Sequence, residues 1–152
     1  MATHYYFAYG SNMNQDRMRA RAMRFNKAQR AVLKGFSLTF NKPCSREGAA
    51  GVAHANIVPC ADGVVEGVLY ALESHAEIEK MDPYEETPIF YTRELREVET
   101  EEGSRLAWVY IGVAPILLSN LKPKSEYLFH ILQGREFLSP DYFAQLERVE
   151  CW

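Results

Sequence analysis

Residues 64–72, VVEGVLYAL, constrain the fold of this chain more than any other segment. Apolar side chains follow one another there instead of alternating, so an extended segment must be covered on both faces. Other strand-like segments accompany it. Residues 4–9 are aromatic, residues 35–40 and 51–58 flank a turn-rich stretch at 41–48, and residues 90–98 and 105–112 form a hairpin about Glu101-Glu102-Gly103. Helical signals are fewer and shorter. Gly10-Ser11-Asn12 breaks the first strand just before a helix expected around residues 15–23. Ser74, followed by Glu77, is a capping-box signature for a helix that ends by Asp82, because Pro83 disfavours the helical conformation in the residue before it. Residues 84–88 then form a loop. Residues 125–133 place Leu128, Ile131 and Leu132 at helical spacing with Gly134 as the stop, and Ser139-Pro140 caps a last helix through Leu146. Strands dominate, with helices at the edges. The expected fold class is α+β: a mixed, strongly curled β-sheet or barrel flanked by a few short helices, in a single domain over residues 1–152.

Length and charge narrow the functional classes. A chain of 152 residues can bury one substantial core with room for a pocket. No apolar run approaches the roughly 18 residues of a membrane span, so no membrane partner is expected. Seventeen Lys and Arg against 20 Asp and Glu, a net charge of -3, disfavour a polyanion binder, and no nucleic-acid partner is expected. The basic run Arg17, Arg19, Arg21, Arg24, Lys27, Arg30 and Lys34 reads as the solvated side of a helix and its following loop. Cys44, Cys60 and Cys151 are odd in number and lack a C-x-x-C pair, which suits a reducing compartment. The N-terminal residues show no secretory pattern, so the cytoplasm is the expected location.

Chemistry is narrowed further by the motifs. Phosphate-loop, dinucleotide, zinc-protease and nucleophile-elbow patterns do not occur, and His4, His54, His75 and His130 lack ligand spacing. Neither a cofactor nor a metal site is expected. Two local features remain. In Tyr9-Gly10-Ser11-Asn12 a strand ends in a glycine that lets the backbone approach a ligand and present successive amides to a carboxylate, without any basic side chain. An ordinary turn with Asn12 or Asn14 capping a helix is the plainer alternative. Asp82-Pro83-Tyr84-Glu85-Glu86 is an acidic loop beside Ile89 and Phe90. Such carboxylates are usually solvated, and spacing alone gives this one no role.

Several segments together resemble one known family. Tyr6-Phe7-Ala8-Tyr9-Gly10-Ser11-Asn12-Met13 is similar to the N-terminal signature of the γ-glutamyl cyclotransferases, and Gly51-Val52-Ala53 and Glu66-Gly67-Val68-Leu69-Tyr70 resemble later landmarks. Met81-Asp82-Pro83-Tyr84-Glu85 falls where the family carries its catalytic glutamate, three residues after an Asp. The resemblance implies that Glu85 is catalytic. It also implies that Tyr91, Tyr110 and Tyr127, the last with Pro123 upstream, line the substrate pocket together with Tyr9, Gly10, Ser11 and Asn12. The chain departs from the family in two places: the stretch from Glu85 to Tyr91 is one residue shorter, and Glu86 stands where a glycine is common.

The reaction so implied needs neither metal nor water. The α-amino nitrogen of a γ-glutamyl amide attacks its own γ-carbonyl carbon, closing 5-oxoproline and expelling an amine. An unperturbed glutamate titrates near ~4.3 and an α-amino group near ~7.7, a gap of about 3.4 pH units or roughly 4.6 kcal/mol. Shielding of Glu85 by Ile89 and Phe90, with the like charge of Glu86, is expected to narrow it. The partner is a small-molecule γ-glutamyl substrate. Which one is open: glutathione, a γ-glutamyl dipeptide, a γ-glutamylamine or a γ-glutamyl-protected natural product all fit, with selection expected from loops near residues 41–48 and 117–124. A non-catalytic module that binds γ-glutamyl compounds or 5-oxoproline is the alternative from another class.

Overall fold

The computed structural model describes residues 4–43, 53–85, 91–112 and 122–151. Five strands form a closed barrel in the order β1-β3-β2-β4-β5. They are β1 (His4–Ala8), β2 (Phe25–Pro43), β3 (Ala53–Leu72), β4 (Tyr91–Thr100) and β5 (Gly103–Gly112). The barrel is mixed. Three neighbouring pairs run antiparallel over several residues, whereas β1 closes on β5 in parallel through Tyr5 opposite Ala107 and Tyr6 opposite Trp108. The seam between β2 and β4 is narrow, with Val32 paired to Glu99. Helices α1 (Gln15–Ala20), α2 (His75–Met81), α3 (Ser125–Leu132) and α4 (Pro140–Glu147) flank the barrel. The α+β barrel expected from the sequence is the observed architecture.

Segment 65–70 is covered on both faces, as its composition requires, although Val64 is exposed. Glu66 is the charged residue in that buried stretch. Its carboxylate accepts from Arg30 at 2.7 Å and from the Ser139 amide and hydroxyl at 2.7 and 2.8 Å, which fastens the start of α4 to the barrel. The Ser139 hydroxyl also accepts from the Tyr142 amide, so the expected N-cap of α4 is present.

Four local expectations change. The first helix stops at Ala20 instead of running to Met23, because a Schellman turn closes it: Met23 N–H donates to Met18 C=O at 3.0 Å and Ala22 N–H to Arg19 C=O at 2.9 Å. Ala22 supplies the left-handed residue, at φ 59°. Residues 25–34 are not a solvated helix side and loop but the first half of β2. A register shift between Phe25 and Lys27 breaks the period of two there, which hides the strand in the sequence. Segments 53–58 and 64–72 belong to one long β3, and its pairing with β2 shifts register between Lys34 and Phe36, where Gly35 adopts φ +87°. Ser74 starts α2 without a side-chain cap; Glu77 instead accepts from the Arg24 amide at 2.7 Å and pairs with Lys80 at 2.8 Å. A tertiary partner thus displaces the local capping box.

The basic run is largely paired within the chain. Arg19 meets Asp16 at 3.3 Å, Lys27 meets Glu102 at 2.6 Å, and Lys34 meets Glu99 at 3.1 Å. Readings made on Cys44, Gly48, Gly51, Val52, Glu86, Pro88, Ile89, Phe90 and Leu117 lie outside the described residues.

Candidate active site

One cavity of about 50 Å³ opens at the end of β1, and it brings together every site residue expected from the sequence: Tyr9, Gly10, Ser11, Asn12, Glu85, Tyr91, Tyr110 and Tyr127. The chain reaches it by a local route on one side. After Ala8 the strand turns at Gly10 into a short 3-10 turn (Ser11–Met13), and Asn14 then caps α1 by accepting from the Asp16 amide at 3.0 Å. A side chain at Gly10 would enter the space near the Tyr127 hydroxyl, at 3.3 Å, and Ala55 Cβ, at 3.4 Å. The bare backbone therefore forms that wall.

Asn12 lines the cavity, but its side chain is committed to the protein. Its Nδ2 donates to the Tyr6 hydroxyl at 3.0 Å, its Oδ1 accepts from Arg21 at 3.0 Å, and its C=O accepts from the Tyr70 hydroxyl at 2.6 Å. This buried hub ties the Gly10 turn to β1, α1 and β3.

Three of the phenols that line the cavity have their protons committed to the protein. Tyr9 donates to Tyr110 C=O at 2.6 Å, Tyr91 to Ala55 C=O at 2.7 Å, and Tyr110 to Asp82 Oδ1 at 2.6 Å. Tyr127 accepts from the Ala55 amide at 3.0 Å. A register shift explains why both backbone groups of Ala55 can serve the phenols: β2 and β3 pair at Thr39 with Asn56 and next at Lys42 with His54, which leaves Ala55 out of the ladder.

Asp82 anchors the turn that carries Glu85. Its carboxylate accepts from Tyr110 and from Arg93, whose Nε and Nη2 lie at 3.1 and 3.2 Å. Glu85 N–H then donates to Met81 C=O and Asp82 C=O, each at 3.2 Å. Glu85 is half-buried, and it is the only carboxylate among the described residues that line the cavity. Burial first, with the Glu85 charge adding to it, pushes the Tyr6 and Tyr9 phenols well above the ordinary tyrosine range. Tyr91 and Tyr110 are raised in the same direction, chiefly by burial and, for Tyr110, by the Asp82 hydrogen bond. Burial takes Tyr127 to about 12. These five phenols keep their protons near neutral pH, and Glu85 is the carboxyl group that lines this space.

Sequence reasoning missed Tyr6, Tyr84, Arg17, Arg21 and His54 as lining residues. His54 stacks on Tyr127 with ring centroids 4.3 Å apart, a contact no spacing rule reveals. Arg17 and Arg21 did carry a signal. Four residues apart, on α1 and at its C-cap, they lie on one side of that turn of chain, and both line the cavity. Arg21 also lies over the Tyr84 ring, 4.5 Å from its centroid. Burial and the neighbouring Arg21 charge lower the Arg17 guanidinium from its usual value, with Tyr127 and Glu85 opposing. The anion-binding wall expected to lack basic side chains thus has two.

Comparison with known proteins bears on this geometry. The family model described as gamma-glutamyl cyclotransferase, AIG2-like, matches residues 6–129, well over half of the chain. Among solved structures, a gamma-glutamyl cyclotransferase aligns over 99% of this chain and 90% of its own, with a TM-score of 0.82 at 23% identity. The protein loc79017 from Homo sapiens aligns over 100% of this chain and 90% of its own, again with a TM-score of 0.82 and 23% identity. YkqA from Bacillus subtilis aligns over 97% of this chain but 54% of its own, with a TM-score of 0.79 at 25% identity. Comparison with curated protein sequences gives no match. Likeness at such identities speaks for a shared fold, whereas the family match rests on the sequence itself, including the strand, turn and glutamate segments that form the cavity. This chain belongs to the gamma-glutamyl cyclotransferase, AIG2-like family.

Proposed function

We propose that the protein cleaves a γ-glutamyl amide by intramolecular aminolysis, releasing 5-oxoproline and a free amine or amino acid, with Glu85 as the acid/base. The observation that carries this reading is the cavity wall: one carboxylate, Glu85, set among phenols that stay protonated. In this reading Glu85 accepts a proton from the substrate's α-ammonium group. The freed nitrogen attacks the γ-carbonyl carbon, a new C–N bond closes the lactam, and the original amide C–N bond breaks. The same carboxyl group returns that proton to the departing nitrogen, and the second proton, which the ring nitrogen sheds as the lactam forms, passes to the same nitrogen, so that the amine leaves as an ammonium ion. Atoms and charges balance with no cofactor.

The enclosure supports the chemistry in a second way. A pocket that selects the folded glutamyl conformer turns a flexible chain into reactants already in contact, an advantage worth up to several kcal/mol. The bare backbone at Gly10 is placed to receive the substrate carboxylate or the developing oxyanion through its amides. Phenol rings from Tyr9, Tyr91 and Tyr110 serve as walls, their hydroxyls being engaged with the protein. We place the reaction in the cytoplasm, a setting in keeping with free thiols at Cys60 and Cys151. Among the described residues, no helix is long and apolar enough to cross a membrane.

The test is Glu85→Gln, measured as 5-oxoproline release by mass spectrometry from γ-glutamyl amino acids and amines. We expect a fold that melts like the wild type and a rate lower by about 10²- to 10⁴-fold, the usual share of general acid–base catalysis. Glu86→Gln is expected to keep most activity. Near-normal turnover by Glu85→Gln removes the assignment.

A further inference from the structure

We propose that Arg17 is a specificity-determining residue which binds a carboxylate on the departing amine, so that the enzyme prefers γ-glutamyl amino acids to γ-glutamylamines. This deepens the cyclotransferase reading and rests on it for the identity of the departing group. The two guanidiniums at the cavity are in different states. Arg21 is engaged, donating to Asn12 Oδ1 at 3.0 Å and lying over the Tyr84 ring. The Arg17 side chain has no hydrogen-bond or ion-pair partner among the described residues, and its Nε is buried without an acceptor.

A buried donor without a partner is unfavourable until an acceptor arrives, and hydrogen bonds to charged groups are the stronger kind. Arg17 also shares its surroundings with the like charge of Arg21, which an incoming anion would relieve. A carboxylate is the acceptor that a planar guanidinium fits best.

Position in the cavity indicates which carboxylate. Phe7, Tyr9 and Tyr110 are buried and close the inner end, whereas Arg17 and Arg21 are half-buried and Tyr84 is 42% exposed, marking the mouth. The glutamyl chain must fold on itself to react, which calls for the enclosed end. The departing amine, whose size varies between substrates, then extends toward the mouth. An amino acid leaving group carries its carboxylate one carbon from the departing nitrogen, on the side where Arg17 lies; an amine has none.

The matched probes are γ-glutamyl-alanine and γ-glutamyl-ethylamine, which differ by that one carboxylate. For the wild type we expect kcat/KM to favour the alanine compound by about tenfold or more. In Arg17→Gln the ratio falls to within about twofold, and Arg17→Lys, which keeps the charge but loses the fork, recovers part of it. Thermal melting of each variant near the wild-type temperature confirms that the fold is intact. A wild-type ratio near one overturns the proposal. So does an equal loss on both probes in Arg17→Gln, which would assign Arg17 to the shared glutamyl carboxylate or to structure. Calorimetry on the same proteins separates the two readings. If neither probe yields 5-oxoproline, the cyclotransferase reading fails, while an Arg17-dependent preference in binding still upholds the carboxylate site and its absence overturns it.

Discussion

Replacing Tyr110 by Phe removes one oxygen from a buried ring and, with it, the 2.6 Å hydrogen bond to Asp82 Oδ1. The aspartate keeps Arg93 at 3.1 and 3.2 Å, so no carboxylate is left stranded, and the loss is chiefly that of this bond, with a longer 3.3 Å contact to Ile78 C=O beside it. A hydrogen bond to a charged group contributes about 1.5–3 kcal/mol, and the partial exposure of Asp82 points to the lower end, about 1.5–2 kcal/mol. For a domain of this size that lowers Tm by roughly 3–8 °C. Activity should suffer separately. Glu85 lies three residues beyond Asp82 and its amide hangs on the Asp82 and Met81 carbonyls, so a looser turn displaces the carboxylate. A displacement on the order of 1 Å can reduce the rate about 10²-fold, so we expect kcat to fall by roughly 10- to 100-fold. Thermal melting and 5-oxoproline release measure the two effects, and a double-mutant cycle with Asp82→Ala, which removes the acceptor, isolates the bond. Effects that add to within about 0.5 kcal/mol would show no coupling between phenol and carboxylate and would refute the reasoning.

Two further predictions concern stability. Burial tends to raise the Glu66 carboxyl, but Arg30 and the Ser139 amide and hydroxyl outweigh it and hold it below its ordinary value. Its charged form therefore stabilises the fold above the unfolded carboxylate pKa of ~4.3, and that stabilisation is lost as pH falls through the lower, folded value. Glu66→Gln should destabilise by about 1–3 kcal/mol at pH 7, with a gap in Tm that narrows at pH 3; a gap unchanged between the two would contradict the assignment. Ala22, at φ 59°, holds a backbone conformation that costs an L-residue roughly 1–2 kcal/mol, so Ala22→Gly should gain about 0.5–1 kcal/mol in urea unfolding after the added chain entropy is counted. A loss of stability there would mean that the Schellman turn does not form.

Much of the site was legible because its signals are local. Gly10 ends a strand, Asn14 caps a helix, Pro83 stops α2, and Gly103 turns a hairpin, each through the backbone preference of the residue itself. Helices α3 and α4 lie where their spacing and caps put them. What stayed hidden depends on partners far along the chain. Glu77 abandoned its local cap for the Arg24 amide, 53 residues away, and β2 looked unlike a strand because a bulge and its outward-facing charges masked the alternation. Arg17 and Arg21 looked solvated because helical spacing places them on one face without saying what that face meets.

Sequence by itself decided which residue types were present and where the backbone turns, since those follow from side-chain shape and neighbouring residues. Only closure of the barrel decided their company. The parallel pairing of β1 with β5 sets Tyr9 against Tyr110, 101 positions apart, and the bulge at Ala55 gives two phenols their backbone partners. Register along a closed sheet is a property of all its strands at once, so the arrangement of Glu85, six phenols and two guanidiniums around one space exists only in the folded molecule.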